Sequence, residues 1–161
     1  MKITNILFPT DFSDRSVGAL DYASQLAERF GAVLHIVHVD DLSEMRAMNA
    51  PEGFMVASSL VDTDLGELQD CLEAIKPTVP NVRCKYHLAQ GVPSAEIRAL
   101  AESHNVDLIV MSSHGRTGLS RLLMGSVAEN VLRYTKCPVL ILHPSGDVKS
   151  PEAHEAAVTQ A

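Results

Sequence analysis

Hydrophobic residues in this chain follow two patterns that alternate along the sequence. One is a short, nearly continuous apolar run, and it occurs at residues 3–9, 32–39, 82–88, 107–111 and 138–142. Runs of this length predict strands, and their continuity is typical of parallel strands that are covered on both faces. Five buried strands are therefore expected.

The other pattern has helical spacing and predicts four helices between the strands. The first contains Leu20, Ala23, Ala27 and Phe30; cap-type residues precede it (Asp11, Ser13, Asp14) and Gly31 is placed to end it. The second has an apolar face formed by Val61, Leu65, Leu68, Leu72 and Ile75. The third runs from Pro93 and Ser94 to about His104, and the last contains Val127, Val131 and Leu132.

Strands that alternate with helices at this spacing predict an α/β fold, because each parallel crossover needs a dozen or more residues and is right-handed. We expect a Rossmann-like or flavodoxin-like sheet of five parallel strands in the order 3-2-1-4-5, with helices on both faces. Residues 1–144 are predicted to form one domain, and the polar segment 145–161 a flexible tail.

Composition narrows the classes of function. The chain has 161 residues and a net charge of -7, with 4% aromatic residues and no tryptophan, which argues against nucleic acid as a partner. No apolar run approaches the roughly 20 residues that span a bilayer. The three cysteines form no CxxC pair and have no zinc-type histidine spacing nearby, so free thiols in the cytoplasm are expected.

The segment SSHGRTGLSRLLMGS, residues 112–126, is the densest candidate for a binding site. It lies between the fourth strand and the last helix, where open α/β sheets bind ligands. Gly115 and Gly118 allow backbone N–H groups to converge on phosphate oxygens, and Arg116 adds positive charge. Ser126 with Glu129 predicts a capping box at a helix start that can receive phosphate. The spacing is not that of a P-loop.

Other interpretations of these residues remain open. The glycines can simply shape a turn, and Ser126 can cap a helix without any ligand. Asp11 would face the same crevice if the first and fourth strands are neighbours, where it could accept hydrogen bonds from ribose or cap the first helix. His114 has no identifiable nucleophile or carboxylate partner, so no catalytic role is assigned to it.

Together, these residues resemble the universal stress protein family. The resemblance covers nearly the whole domain in order, through ILFPTDFS, HVD, GVPSAEI, HGRTGLSRLLMGSVAENVL and CPVLIL. The nucleotide-binding branch of that family has the motif Gly, two residues, Gly, nine residues, Gly and Ser or Thr. Gly115, Gly125 and Ser126 match its later positions, while Ser112 stands at the first and adds a Cβ there.

The resemblance implies an adenine-nucleotide site, with ATP and Mg²⁺ as its ligands. Pro9, Thr10 and Asp11 would line the ribose and adenine side, Val39 would contact adenine and Gly91 would border the pocket. The phosphates would be surrounded by Ser113, His114, Gly115, Arg116, Thr117, Gly118, Gly125, Ser126, Val127 and Ala128. The resemblance also implies a homodimer formed through the last strand, Val139–Leu142.

Three functions follow from these observations. The first is an ATP-binding stress-response or signalling module that is at most a slow ATPase. The second is a dimeric interaction protein without nucleotide binding, suggested by Ser112 and by a segment with Met48, Phe54 and Met55. The third is a true enzyme, and it ranks last because neither a nucleophile nor a general base with an orienting partner is identifiable.

Overall fold

The computed structural model describes residues 2–41, 64–113 and 124–143. The predicted segment around Met48 and the tail 145–161 lie outside these ranges, so both interpretations stay predictions.

A parallel sheet of five strands forms the centre of the domain, in the order β3-β2-β1-β4-β5. This confirms the predicted fold class and strand order. The strands are β1 Asn5–Pro9, β2 Val33–Asp41, β3 Arg83–Gly91, β4 Leu108–Ser112 and β5 Val139–Leu142. Their buried central residues are the continuous apolar runs of the sequence, as a sheet covered on both faces requires.

Four helices connect the strands in the described part of the chain: α1 Asp14–Phe30, α2 Leu65–Ala74, α3 Pro93–Ser103 and α4 Ser126–Tyr134. Gly31 ends α1 in the left-handed conformation (φ 64°), as predicted. Pro93 is the first helical residue of α3, where its missing N–H is not needed. None of these helices is long and apolar enough to cross a membrane.

Helices cover both faces of the sheet, so the core has two layers. On one face α1 and α2 pack on side chains such as Phe8, Leu34 and Ile36. On the other, α3 and α4 pack on Leu7, Val37 and Ile109. The side chains of β1 alternate between the two layers, as the two-residue period of a strand dictates.

Three large apolar side chains that belong to the helical patterns of the sequence are exposed. Phe30 is 48% exposed, Leu65 43% and Leu132 48%. Phe30 and Leu65 are terminal residues of α1 and α2. Leu132 lies one position past the buried face of α4, which is centred on Ala128 and Val131. Helical spacing alone therefore does not decide which of these side chains are buried.

The starts of β1 and β4 are joined by one carboxylate. Oδ2 of Asp107 accepts hydrogen bonds from the backbone N–H groups of Thr4 (2.7 Å) and Asn5 (3.0 Å), and from the Thr4 hydroxyl (2.9 Å). The Thr4 N–H is the largest cause that holds the pKa of Asp107 below its ordinary value, because it stabilises the charged form. This network fixes the amino edge of the sheet.

Candidate functional site

The carboxyl ends of β1 and β4 lie next to each other. The two strands pair in parallel, with Ile6 opposite Leu108 and Leu7 opposite Ile109. The segments that follow Pro9 and Ser112 therefore leave the sheet from the same edge. In a parallel sheet, neighbouring strands whose connections diverge leave a crevice at this edge where ligands bind.

The segment after β1 is held by its own side chains. Oδ1 of Asp11 accepts hydrogen bonds from the backbone N–H (3.1 Å) and the hydroxyl (2.6 Å) of Ser13. The Thr10 hydroxyl accepts one from the N–H of Phe12 (3.1 Å) and contacts the Ser16 hydroxyl at 3.1 Å. Ser13 occupies the N-cap position of α1 without a side-chain cap hydrogen bond, so Asp11 orders the turn rather than capping the helix itself.

His38 supports this segment from the neighbouring strand. Its Nδ1 lies 2.8 Å from the carbonyl oxygen of Thr10, which can only accept, so Nδ1 carries the proton. Phe12 has a positive φ of 62° and its ring lies against the imidazole, with centroids 4.1 Å apart. The sequence pattern did not identify these contacts, although His38 belongs to the HVD segment of the family resemblance.

The start of α4 is attached to the end of β4. Ser113 is fully buried, and its N–H donates to the carbonyl oxygen of Leu142 in β5 (2.8 Å). The carbonyl oxygen of Ser113 in turn accepts from the N–H of Gly125 (2.8 Å), which is the N-cap residue of α4. The amino end of this helix is therefore held at the crevice edge of the sheet.

The predicted capping box at Ser126 and Glu129 is wrong. Ser126 is the first residue of α4 rather than its N-cap, and among the described residues no side chain caps this helix. Glu129 forms an ion pair with Arg133 one turn later (2.9 Å). Because Gly125 has no side chain to accept a hydrogen bond, the first N–H groups of α4 are not satisfied by a cap at that position.

The other predicted residues fall at the same edge of the sheet, apart from those outside the described ranges. Val39 is buried near the end of β2, and Gly91 is the last residue of β3. Gly91 has φ 150°, and a Cβ there would lie 2.9 Å from Oε1 of Glu96. His114, Gly115, Arg116, Thr117 and Gly118 lie outside the described residues.

Burial divides the predicted contact residues into two groups. Ser113 and Ala128 are buried, with 0% and 3% of the residue exposed, and the N–H and carbonyl oxygen of Ser113 are both in hydrogen bonds within the protein. Ser126 is exposed, and Ser112 and Val127 are half-buried. The described residues of the crevice therefore offer mainly the backbone N–H groups at the start of α4 and the carboxylate of Asp11.

No group of three metal-binding side chains lies at this crevice within the described part of the chain. The group of three that the described residues do form consists of His35 in β2, His87 in β3 and His104 after α3.

Comparison with known proteins gives the same family throughout. Residues 2–143 match the model of the universal stress protein family. Universal stress protein MJ0531 of Methanocaldococcus jannaschii is 37% identical over 139 residues, which cover 85% of this chain and 80% of that protein.

Two solved structures extend the comparison to the fold. The structure of MJ0577 superposes with a TM-score of 0.76 and 30% identity, covering 91% of this chain and 100% of that one. A universal stress protein in complex with cAMP superposes with a TM-score of 0.58 and 27% identity, covering 90% of this chain and 100% of that one. With its family match, its curated relative and its fold in agreement, this chain belongs to the universal stress protein family.

Proposed function

We propose that this protein binds an adenine nucleotide such as ATP in the crevice between the ends of β1 and β4 and acts as a nucleotide-responsive stress or signalling module. The observation that carries the proposal is the hydrogen bond from Gly125 to Ser113, which holds the amino end of α4 at the crevice. A relative that covers the same fold was solved with cAMP, which supports adenine nucleotide as the ligand class.

The phosphates are proposed to lie at the amino end of α4. Its first N–H groups point out of the helix, and the helix dipole favours negative charge at that end. Anion binding at such a helix start is a common use of these donors. Ser126, Val127 and Ala128 would contribute through their N–H groups, and residues 113–118 would close the other side.

The ribose and adenine are proposed to lie across the ends of β1 and β2. Asp11 is held in a fixed position by Ser13, and its carboxylate can accept hydrogen bonds from ribose hydroxyls. His38 fixes the Thr10 carbonyl beside it, so this part of the crevice is ordered before any ligand binds. The backbone of Val39 would face adenine, and Gly91 would border it.

Mg²⁺ is proposed to enter with the triphosphate. This ion keeps several waters and is commonly bound through phosphates and one or two carboxylates rather than by a dedicated protein cage. No group of three metal-binding side chains lies at the crevice among the described residues, so the phosphates and water would supply most of its ligands. Any hydrolysis is proposed to be slow, because no general base with an orienting partner is identifiable among the described residues of the crevice.

The protein is also proposed to act as a cytoplasmic homodimer. β5 is the outer strand of the sheet and is paired with β4 on one side only. An unpaired apolar edge invites a second strand, and pairing with another copy would cover it. Cys71, Cys84 and Cys137 are free thiols, which suits a reducing compartment.

Calorimetric titration of nucleotide-stripped protein with Mg-ATP tests the proposal. We expect saturable binding by the native protein and about tenfold weaker binding by Asp11→Asn, which keeps an oxygen for Ser13 but loses the charge. Asp14→Asn is the matched control, because Asp14 is an exposed acid in the first turn of α1. Circular dichroism checks that each variant is folded.

Two results would contradict the proposed site. Absence of saturable heat up to millimolar Mg-ATP would reject nucleotide binding and leave the dimeric interaction module as the function. Equal loss of affinity in Asp11→Asn and Asp14→Asn would show that Asp11 has no specific contact with the nucleotide.

A further inference from the structure

Three histidines that are far apart in sequence meet on one face of the sheet. His35 belongs to β2, His87 to β3, and His104 follows the last residue of α3. One nitrogen from each ring can be chosen so that all three lie within 4.8 Å of one another. The ring centroids are 5.2 Å apart for His35 and His87, 5.1 Å for His35 and His104, and 4.6 Å for His87 and His104.

The topology explains why they meet. In the register of β2 and β3, His87 is opposite Val37, so its side chain is on the same face as His35, two residues along the strand. α3 packs on this face and runs back toward the amino ends of the strands, which brings its C-cap residue His104 over them. The cluster therefore lies between α3 and the strands β2 and β3, and it includes none of the residues proposed for the crevice.

His35 is held in one orientation by Asn5. Its Nε2 lies 3.3 Å from Oδ1 of Asn5, an acceptor, so the proton is on Nε2 and the lone pair of Nδ1 points into the cluster. That Nδ1 is 2.9 Å from Nε2 of His87. The backbone N–H of Asn5 donates to Asp107, so the residue that holds His35 is itself held in place at the start of β1. Such outer partners are what fix metal-binding histidines.

The surroundings favour the neutral forms of His35 and His87 by lowering their pKa values. Burial, followed by the positive charge of neighbouring His87, His104 and Lys85, lowers the pKa of His35 to about 4. Burial also lowers the pKa of His87, with smaller contributions from His104 and Lys85. A neutral imidazole has the free lone pair that a metal ion requires.

We propose that His35, His87 and His104 form a binding site for a divalent transition-metal ion of the zinc type, with water as the remaining ligand. Three imidazoles with an open position are a known zinc ligand set. Mg²⁺ and Ca²⁺ are unsuitable, because they prefer oxygen ligands. The cluster contains no carboxylate or thiolate, so its preference among metal ions is set by imidazole nitrogen ligands alone.

The distances agree with such an ion. Zinc–nitrogen bonds of about 2.0–2.1 Å at tetrahedral angles place the ligand nitrogens about 3.3–3.4 Å apart. The nitrogens here lie between hydrogen-bond contact and 4.8 Å, so small rotations of the rings are sufficient. His35 is buried, whereas His87 and His104 are partly exposed, so an ion can enter from the solvent side.

Titration of the full chain with Zn²⁺ alone, after treatment with a chelator, tests this site. We expect one ion per chain and at least tenfold weaker binding in His87→Gln and in His104→Gln, each of which removes one ligand from a partly exposed position. His143→Gln is the matched control, because His143 is exposed and lies outside the cluster. It is expected to bind Zn²⁺ like the native protein.

Co²⁺ provides a second measurement that depends on coordination geometry. The native protein and His143→Gln are expected to give the visible d–d bands of four-coordinate Co²⁺, and His104→Gln to lose them. Circular dichroism and the melting temperature without metal show whether each variant is folded. If His87→Gln does not fold, His104→Gln decides the question, because His104 lies at a helix end rather than within the sheet.

Two results would overturn the proposal. One is the absence of saturable Zn²⁺ binding by the native protein. The other is binding that His87→Gln and His104→Gln leave unchanged, since the ion would then be held elsewhere. Neither result bears on nucleotide binding, because none of the three histidines is among the residues proposed to bind the nucleotide.

Discussion

The N–H of Gly125 donates a 2.8 Å hydrogen bond to the carbonyl oxygen of Ser113. This bond joins the start of α4 to the end of β4 across the glycine-bearing segment between them. The N–H in this bond belongs to Gly125, the N-cap residue of α4. The N–H groups that follow it, from Ser126 onward, are those of the first helical turn, which have no partner within the helix. The position of these donors is thus fixed by the sheet.

A negative charge at that helix end should raise the stability of the fold and lower the affinity for nucleotide. Ser126 is exposed and is the first residue of α4. We expect Ser126→Asp to stabilise the fold by about 0.3–1 kcal/mol through the helix dipole. Because the same carboxylate would repel phosphate, the affinity for Mg-ATP should fall at least tenfold. Urea denaturation and calorimetry measure the two effects.

Ser126→Asn is the control for that experiment, since it has nearly the same size as Asp and no charge. It should bind Mg-ATP within about twofold of the native protein, a difference of about 0.4 kcal/mol. If Ser126→Asp bound Mg-ATP as tightly as Ser126→Asn, the phosphates would not lie at this helix end.

Two glycines of α1 should respond to alanine with opposite signs. A Cβ meets nothing within 4 Å at either Gly18 or Gly31, so packing does not decide the result. Gly31 has φ 64°, and an L-residue there costs about 1–2 kcal/mol, so Gly31→Ala should destabilise the protein. Gly18 lies inside the helix, where alanine is favoured by about 0.5–1 kcal/mol.

Urea denaturation of both variants measures these changes, and each serves as the control of the other. A destabilising Gly18→Ala would mean that the helix is restricted at that position by something other than its backbone. A neutral Gly31→Ala would mean that the end of α1 can relax out of the left-handed conformation.

Asp107 should make stability depend on pH. Its pKa is held below the ordinary 3.8, so its contribution is complete above that value and is lost as the pH falls through the lower pKa of the folded state. Asp107→Asn should cost about 1 kcal/mol or less at pH 7, because solvent screens this partly exposed group. The difference from the native protein should shrink toward pH 3.

Urea midpoints at pH 7 and pH 3 check this expectation. Asp70→Asn is the control, because it neutralises an exposed carboxylate on α2. A difference between the native protein and Asp107→Asn that stays the same at both pH values would show that the charge of Asp107 does not contribute.

The sheet was predictable because its central residues are apolar in every strand. The ends of the strands were less predictable. β3 was predicted to end at Leu88, but it continues to Gly91. Its pairing with β2 extends through Asp40 opposite Gln90, and polar residues can remain in a ladder because its hydrogen bonds are made by the backbone. An apolar pattern does not record such pairs.

For the candidate site, the sequence predicted which strands are neighbours but not the contacts between the segments that follow them. The glycine-bearing segment and Asp11 follow strands whose neighbours were expected correctly. In contrast, the contact of His38 with Thr10 joins two strands 28 residues apart, and the three-histidine cluster joins residues of two strands and a helix end. A search for closely spaced zinc ligands in the sequence could not find these histidines, because the pairing of β2 with β3 and the packing of α3 bring them together.

Dimerisation through β5 can be tested with a single proline. The carbonyl oxygens of Pro138 and Leu142 accept hydrogen bonds from Ile109 of β4 and from Ser113, which directly follows β4, so the backbone groups of alternate residues in this segment are directed to β4. The N–H of Ile141, between two such positions, is therefore directed to the open edge. Ile141→Pro removes that donor without removing a bond to β4, and we expect a folded monomer in analytical ultracentrifugation.

Ile141→Ala is the matched control for the proline variant, because it loses side-chain packing on the α3 and α4 face but keeps the N–H. Replacing a fully buried Ile by Ala costs about 2–5 kcal/mol, and the loss here should not exceed that range because Ile141 is only partly buried. The variant should remain a dimer. If both variants were monomers, the dimer contact would depend on the Ile141 side chain rather than on backbone pairing at the strand edge. A native protein that sediments as a monomer at every concentration would reject the dimer outright.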